Sequence, residues 1–184
     1  MAETIIENDI LLREMESVDT PDIVRWRNSD AVRKNFIDQN LFTEESHERW
    51  LNNVVKTGRA KQFVICIRKD ENASSGEEYI PVGSVYFRDI DHVHNKAEYG
   101  IFIGEDFARG KHVGSRVAGM MIKYAFEKMN LHRVFLRVYA DNFAAIKSYE
   151  NAGFKKEALL HDDVFVNGEY RDIVLMAAIN TDGE

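Results

Sequence analysis

The sequence has little of what marks a secreted, membrane-spanning or metal-cluster protein. It contains one cysteine in 184 residues, Cys66, so an intrachain disulfide and a cysteine metal cluster are both excluded. Cys66 lies within an apolar run, 63–67, where a buried cysteine is expected to be inert. No run of about 18 apolar residues is present, and the acidic N-terminus lacks the basic-then-apolar order of a signal peptide. We therefore expect a cytoplasmic protein without a membrane partner.

Positive charge is also scarce. Lysine and arginine number 24 against 31 aspartate and glutamate residues, which gives a net charge of −7. An acidic chain is a poor candidate for a non-specific nucleic-acid binder, although a local basic site can still exist. The length suits a single domain over residues 1–184, in which 179–184 would be a frayed tail. One low-complexity stretch, 70–78, separates two apolar runs and is expected to be a hairpin loop.

Apolar periodicity and capping residues predict the order β-α-α-β-β-β-α-β-α-β-β, a mixed α/β sandwich built on one sheet. Asp19 and Thr43 are expected to be the N-caps of the first two helices. The strongest helix begins near Val113, and Asn142 caps a shorter helix that ends at Gly153. The predicted strands are 10–15, 62–68, 81–89, 96–103, 133–139, 155–161 and 172–179.

Glycines and positive charges cluster where the strongest helix begins. The stretch 108–117 reads ARGKHVGSRV. The first amides of a helix have no intrahelical acceptor and carry partial positive charge. Gly110 and Gly114 let the backbone approach a ligand closely, while Arg109 and Lys111 add full charges. The turn predicts a phosphate or diphosphate site, although an ordinary turn with solvated charges would contain the same residues.

A second group of residues, DNFAAIKSYENAGF over 141–154, follows directly after a predicted strand. Together with the turn it resembles the Gcn5-related N-acetyltransferase (GNAT) family. The family's first signature, Arg/Gln-x-x-Gly-x-Gly/Ala, is matched at Arg109 and Gly114 and departs at His112, where glycine is usual. The second, Asn-x-x-Ala-x-x-x-Tyr-x-x-x-Gly-Phe, is matched at Asn142, Ala145, Tyr149, Gly153 and Phe154.

The resemblance covers nearly the whole chain and implies the fold of that family. This is an α/β (α+β) fold with a mixed, mostly antiparallel central sheet of about seven strands, flanked by about four helices. Within the family, the chain is similar to the branch that acetylates ribosomal proteins, spermidine and amino sugars. The markers of this branch are Trp26-Arg27-Asn28, His94-x-x-Ala97-Glu98-Tyr99 and Asn167-Gly168-x-Tyr170-Arg171-Asp172.

The resemblance implies acetyl-CoA (coenzyme A) as the donor and a primary amine as the acceptor. A ribosomal-protein N-terminus, a polyamine such as spermidine and an amino-sugar nucleotide all stay open as acceptors. An acyl-CoA-binding sensor without transferase turnover is the alternative. Relatives often dimerise, so a homodimer is implied as well.

The resemblance also implies where the cofactor binds. The turn contributes Arg109, Gly110, Lys111, His112, Val113, Gly114 and Ser115. The amides of Ile101, Phe102 and Ile103 would bind the pantetheine, on a strand edge left open by a local bulge. Asn142 would both cap its helix and contact the pantetheine arm.

Acetyl transfer to an amine requires a neutral amine, a stabilised thioester oxygen and a proton for the leaving thiolate. The resemblance gives the last task to Tyr149, which without the motif would be an ordinary core aromatic. Many relatives have a glutamate twelve residues earlier, where this chain has Arg137, and a guanidinium cannot accept a proton. Glu98 is our first choice as the base; an ion-paired strand residue and a water chain are the alternatives. Arg137 is also the feature that favours a sensor.

The acceptor is expected to lie near the first two helices and the final hairpin. The candidate residues are Trp26, Asn28 and Tyr99, with Phe36, Tyr86 and Phe165 as further aromatic candidates. Aromatic residues at such positions more often belong to the core, so these candidates depend on the packing.

Overall fold

The computed structural model describes residues 3–69 and 78–181. The predicted loop at 70–78 therefore lies, apart from Glu78, outside the described residues. Within these ranges the strands are β1 (Thr4–Glu7), β2 (Ile10–Glu14), β3 (Lys61–Arg68), β4 (Tyr79–Asp91), β5 (Lys96–Ile103), β6 (Arg133–Tyr139), β7 (Lys155–Val166) and β8 (Glu169–Ile179). The α-helices are α1 (Thr20–Asn28), α2 (Asp30–Arg33), α3 (Glu44–Trp50), α4 (Val113–Glu127) and α5 (Phe143–Ala152).

The described strands form one eight-stranded sheet in the order β1-β2-β3-β4-β5-β6-β8-β7. All neighbours are antiparallel except β5 and β6, which confirms the mixed, mostly antiparallel sheet. The sheet has one strand more than expected, because β1 pairs with β2 at the edge. Its four residues include only Ile5 and Ile6 as apolar side chains and therefore give almost no periodic signal.

Strands β5 and β6 separate soon after they begin. They pair over three positions only, and the last of these joins Glu98 to Phe135. Beyond this point β5 continues to pair with β4, and β6 continues to pair with β8. The facing edges of both strands are thereby left open. The expected bulge is not at Ile101: the irregularity between β4 and β5 lies between Arg88 and Asp91, and the opening results from the divergence of the strands.

The longest described helix, α4, packs on the sheet through the stripe seen in the sequence. Val113, Val117, Met121 and Ala125 on this stripe are all buried. Each large apolar side chain buried in this way stabilises the fold by roughly 1.5–3 kcal/mol. Cys66 is buried in a second apolar cluster, and burial raises the pKa of its thiol. Of the helices in the described ranges, none combines the length and hydropathy needed to cross a bilayer.

Side-chain N-caps are present at two of the five described α-helices, α3 and α5. Thr43 accepts a hydrogen bond from the third amide of α3, and Asn142 accepts one from the third amide of α5 at 3.2 Å. Gly153 ends α5 at a φ of 110°, a left-handed conformation suited to glycine. Asp19 precedes α1, but its carboxylate accepts from Arg13 at 2.6 and 2.8 Å and does not cap the helix. Asp19 is therefore the N-cap residue of α1 as expected, but its side chain does not cap the helix.

The last strands are longer than the sequence suggested. Strands β7 and β8 meet in a tight turn at Asn167 and Gly168, whose φ values of 53° and 88° suit a two-residue hairpin loop. Part of the predicted tail is ordered, because Ile179 pairs with Arg133 and the Asn180 amide donates to the carbonyl of residue 132. Residues 182–184 lie outside the described ranges.

Candidate active site

A cavity of about 890 Å³ occupies the opening between β5 and β6. It is lined from both faces of the sheet, by α4 and α5 on one face and by α1, α2 and α3 on the other. We call the part lined by residues 108–115 and α5 the turn side. We call the part lined by Arg27, Tyr86, Arg88, Glu98 and Arg137 the arginine side. The opening between the strands thus joins two chemically different surfaces.

The turn before α4 contains two residues with a left-handed backbone, a conformation found in anion-binding loops. Gly110 has a φ of 72° and His112 a φ of 58°, so both are left-handed. A side chain at Gly110 would meet no atom within 4 Å, so its backbone angle is what calls for glycine there. His112 stands where the family pattern has glycine and adopts a conformation that glycine accepts without cost. Gly110 and residues 112–115 all line the cavity.

Arg109 lines the cavity, and its guanidinium is at the same time engaged within the turn. Its guanidinium donates to the carbonyls of Ile103 at 3.0 Å and Gly104 at 2.8 Å, and it also pairs with Asp106. These contacts fasten the loop between β5 and α4, so Arg109 is not a free charge. Lys111 does not appear among the described residues that line the cavity. The anion-binding character of the turn therefore rests mainly on backbone amides at the start of α4.

The open edge of β5 fits a ligand that carries amides. Ile101, Phe102 and Ile103 all line the cavity on the stretch that has left β6. An extended amide chain can add to such an edge as a further strand would. Asn142 also lines the cavity; its Oδ1 caps α5, and its Nδ2 donates to Asn35 Oδ1 at 3.3 Å. The turn and the edge together fit a molecule with a diphosphate and an amide-bearing arm.

Four tyrosines, Tyr86, Tyr99, Tyr139 and Tyr149, line the cavity. The rings of Tyr99 and Tyr149 meet edge to face, with centroids 6.1 Å apart. Burial raises the pKa of Tyr149 above its usual range, and the proximity of Tyr86 raises it further. The pKa of Tyr99 is raised well above its usual value, again mainly by burial. Both phenols therefore stay protonated at neutral pH and can act as hydrogen-bond donors.

Glu98 lines the cavity, but its carboxylate is already engaged. Its side chain is 8% exposed. Arg88 donates to both of its oxygens, at 3.1 and 2.8 Å, and Arg137 Nε lies 3.3 Å from Oε1. To accept a proton, Glu98 would have to weaken these charge-assisted hydrogen bonds. The geometry fits a counter-ion for two guanidinium groups better than the free base expected from the sequence.

Two of the three predicted acceptor residues lie outside the cavity lining. Trp26 is buried, donates to Glu105 at 2.9 Å, and packs so closely on Gly104 that a Cβ there would lie 2.1 Å from the indole ring. Asn28 exchanges two hydrogen bonds of 2.8 Å with the backbone of Phe42. Both residues support loops beside the cavity, while Tyr99 lines it as expected.

Arg27, which lies between Trp26 and Asn28 in the sequence, does line the cavity, and sequence reasoning missed it. The available signal was its position one helical turn after Ile23, on the buried face of α1, where a charge is unusual. Of the further aromatic candidates, Phe36 and Tyr86 line the cavity, whereas Phe165 is exposed on the final hairpin.

Comparison with known proteins places this geometry in a family. Residues 9–155 match the family model described as an acetyltransferase (GNAT) domain. The spermidine N(1)-acetyltransferase of Vibrio cholerae is 25% identical over 171 residues, 93% of each chain. That of Escherichia coli K12 is 36% identical over 94 residues, which cover 51% of this chain and 50% of the relative.

A solved structure shares the fold. The spermidine N-acetyltransferase from Vibrio cholerae in complex with CoA and spermine superposes with a TM-score of 0.83 at 24% identity. The match covers 94% of this chain and 96% of that one. The family match spans most of the chain, including the turn, the open strand edge and α5. The chain therefore belongs to the GNAT acetyltransferase family and is an acetyl-CoA-dependent N-acetyltransferase.

Proposed function

We propose that the chain binds acetyl-CoA on the turn side and transfers its acetyl group directly to a primary amine that enters from the arginine side. The observation that supports this is the continuous cavity, because it lets two substrates meet between β5 and β6 without a covalent enzyme intermediate. Holding both reactants in one cavity supplies the proximity that direct attack requires.

Acetyl-CoA, the donor substrate, supplies an activated acetyl group. The amides around Gly110 and residues 112–115 would hold its diphosphate, and the edge at 101–103 would hold the amides of its pantetheine arm. Asn142 would add a side-chain contact to the same arm. The left-handed turn residues and the divergence of the strands support these assignments.

In the reaction an N–C bond forms as the C–S bond of the thioester breaks. The attacking amine loses a proton, which passes to water in the cavity because Glu98 is committed to Arg88 and Arg137. The leaving sulfur gains a proton from the Tyr149 hydroxyl, which recovers one from solvent. The raised pKa of Tyr149 keeps this proton in place until the thiolate develops.

The names of the relatives make a polyamine one candidate for the acceptor. A ribosomal-protein N-terminus and an amino-sugar nucleotide are the others. The cytoplasm as location and a homodimer as assembly stay predictions. The sensor without turnover, which Arg137 favoured in the sequence, finds no support in the comparisons, since the family and the named relatives are N-acetyltransferases.

Two measurements test the proposal. Calorimetry should show that the protein binds CoA, and acetyl-CoA with a panel of primary amines should release free thiol. Binding without thiol release on any amine would contradict the direct transfer proposed above, and no binding at all would overturn the assignment of the turn.

A matched pair of variants tests the turn itself. Gly110 and Gly58 both have a positive φ, and a Cβ at either would meet no atom within 4 Å. Only Gly110 lines the cavity. Gly110→Ala should therefore weaken CoA binding, whereas Gly58→Ala, with the same backbone strain, should not. Equal CoA affinity in the two variants would contradict the assignment.

A further inference from the structure

The arginine side of the cavity is positively charged, although the chain as a whole is acidic. Arg27, Arg88 and Arg137 all contribute to its lining. Glu98 is the buried carboxylate among the described lining residues. The other lining carboxylate, Asp38, is exposed and accepts a hydrogen bond from a backbone amide of its own loop. Three guanidinium groups thus share one buried counter-charge.

That counter-charge is used by two of the three arginines. Both oxygens of Glu98 accept from Arg88, and Oε1 also lies near Arg137. Arg27 has no such partner in the described part of the chain: its Nη2 lies 3.4 Å from the carbonyl of Asp38. Burial lowers the pKa of the Arg27 guanidinium and the charge of Arg88 lowers it further, while Tyr86 and the Asp38 carboxylate raise it. Arg27 is therefore a buried cation without a hydrogen-bonded carboxylate partner in the described residues.

The surroundings of Arg27 leave one edge of its guanidinium free. The ring of Phe36 lies 3.4 Å from Cζ and that of Phe42 lies 4.5 Å from it, so aromatic rings contact the guanidinium face. The residue is 7% exposed, and Nη1 is buried without a hydrogen-bond partner. Carboxylates and phosphates bind guanidinium groups at the edge, in the guanidinium plane. Stacking therefore holds Arg27 in an orientation suited to an anion.

Other unsatisfied atoms lie in the same cavity. In the described residues, the buried side-chain polar atoms without a partner are Arg27 Nη1, His47 Nε2 and the Tyr99 hydroxyl. All three residues line the cavity. A buried polar atom without a partner costs free energy, so such atoms mark places where a ligand supplies the missing hydrogen bonds.

We infer that the acceptor amine carries a carboxylate or a phosphate in the same molecule, and that Arg27, together with Arg137, holds this anionic group. The inference rests on the proposed function and narrows its acceptor. A polyamine would bring only positive charges to a surface that already has three guanidinium groups, and like charges in a partly buried site repel. An anionic group would instead pair with the free edge of Arg27.

Matched pairs of amines test this inference. Glycine, β-alanine and γ-aminobutyrate are compared with their amides, and the phosphorylated forms of ethanolamine and glucosamine with the unphosphorylated ones. Spermidine is measured beside them. Thiol release should give at least one anionic amine a kcat/KM about tenfold or more above its neutral partner. The carboxylate and phosphate pairs show which anion is preferred. A higher kcat/KM for spermidine than for every anionic amine would overturn the inference.

Variants show whether Arg27 is the cause. Arg27→Gln should abolish the preference for anionic amines while CoA affinity stays the same. Arg49→Gln, which removes an exposed arginine of α3 outside the cavity lining, should keep the preference. Calorimetry with CoA checks the folding of each variant. If Arg27→Gln fails this check, Arg137→Gln, at a half-exposed position, takes its place. A preference that persists in the folded variants would contradict the inference.

The inference can also fail separately from the proposed function. If no amine is acetylated, the proposed function is wrong, but anionic amines should still bind the CoA-saturated protein more tightly than their neutral partners. Calorimetry measures this directly. Equal binding of both members of every pair would overturn the inference, whatever the outcome of the turnover assay.

Discussion

Glu98 Oε1 and Arg137 Nε lie 3.3 Å apart, across the point where β5 and β6 separate. Glu98 is the last residue of β5 that pairs with β6, and Arg137 is two residues beyond its partner on β6. Arg88 reaches the same carboxylate from β4. One buried carboxylate therefore links three neighbouring strands at the start of the opening. These ion pairs hold the three strands together at the point where β5 and β6 separate, and the cavity depends on that separation.

Glu98→Gln should destabilise the protein without removing a catalytic base. The amide keeps the shape of the side chain but removes the buried counter-charge that Arg88 and Arg137 share; Arg88 keeps only the exposed Asp89, at 3.9 Å. We expect the free energy of unfolding to fall by about 1–3 kcal/mol, measured by urea denaturation. The acidic limb of the kcat/KM pH profile should stay in place, because water accepts the proton of the amine.

A surface pair provides the control for Glu98. Glu157→Gln removes the partner of Arg133, and both of these side chains are partly exposed. It should change the free energy of unfolding by no more than about 1 kcal/mol. Loss of the acidic limb in Glu98→Gln alone would identify Glu98 as the general base after all.

Tyr149→Phe should lower kcat by about 100-fold, because the leaving sulfur loses its proton donor. The affinity for CoA, measured by calorimetry, should stay the same, since the ring contacts with Tyr99 and Phe154 need no hydroxyl. Tyr170→Phe, which removes an exposed hydroxyl on the final hairpin, is the matched control. A normal kcat in Tyr149→Phe would mean that the proton comes from another group.

His112 is the residue at which the turn departs from the family pattern, and its backbone makes a stability prediction. At a φ of 58° any residue with a Cβ is strained, and glycine is not. His112→Gly should therefore be more stable than His112→Ala by about 1 kcal/mol in urea denaturation. Both variants lose the imidazole, so their difference isolates the backbone. Equal stabilities would mean that the turn relaxes when the side chain is removed.

Much of the fold follows from local signals that act within one element. Thr43 and Asn142 cap their helices as expected, and Gly153 ends α5 in a left-handed conformation. Strand β1 gave no such signal, because its two isoleucines stand among acidic and polar residues and its pairing with β2 is a contact between strands. Local patterns therefore predicted individual helices and their ends, whereas the edge strand β1 depended on its tertiary contact with β2.

The site was harder to predict for the same physical reason. Successive residues of a helix point about 100° apart, so Trp26, Arg27 and Asn28 cannot all face one cavity. Only the packing of α1 on Gly104 and Phe42 shows that Arg27 is the one that does. The pairing of Glu98 with two arginines likewise depends on the strand order, which brings positions far apart in sequence together.

His47 gives the chain a pH-dependent stability. It is 3% exposed, and burial lowers the pKa of its imidazole below the usual value of about 6.5. As the pH falls below that value, the imidazole in the unfolded chain binds a proton before the imidazole in the folded chain does. The contribution of His47 to the free energy of unfolding is therefore complete above about pH 6.5 and declines in acid by up to about 1.4 kcal/mol per pH unit. In urea denaturation at pH 7.5 and 5.5, His47→Gln should lose less stability between the two pH values than the unchanged protein. His92→Gln, at an exposed position, is the control for loss of an imidazole and should keep the full decline. An unchanged decline in His47→Gln would exclude this origin.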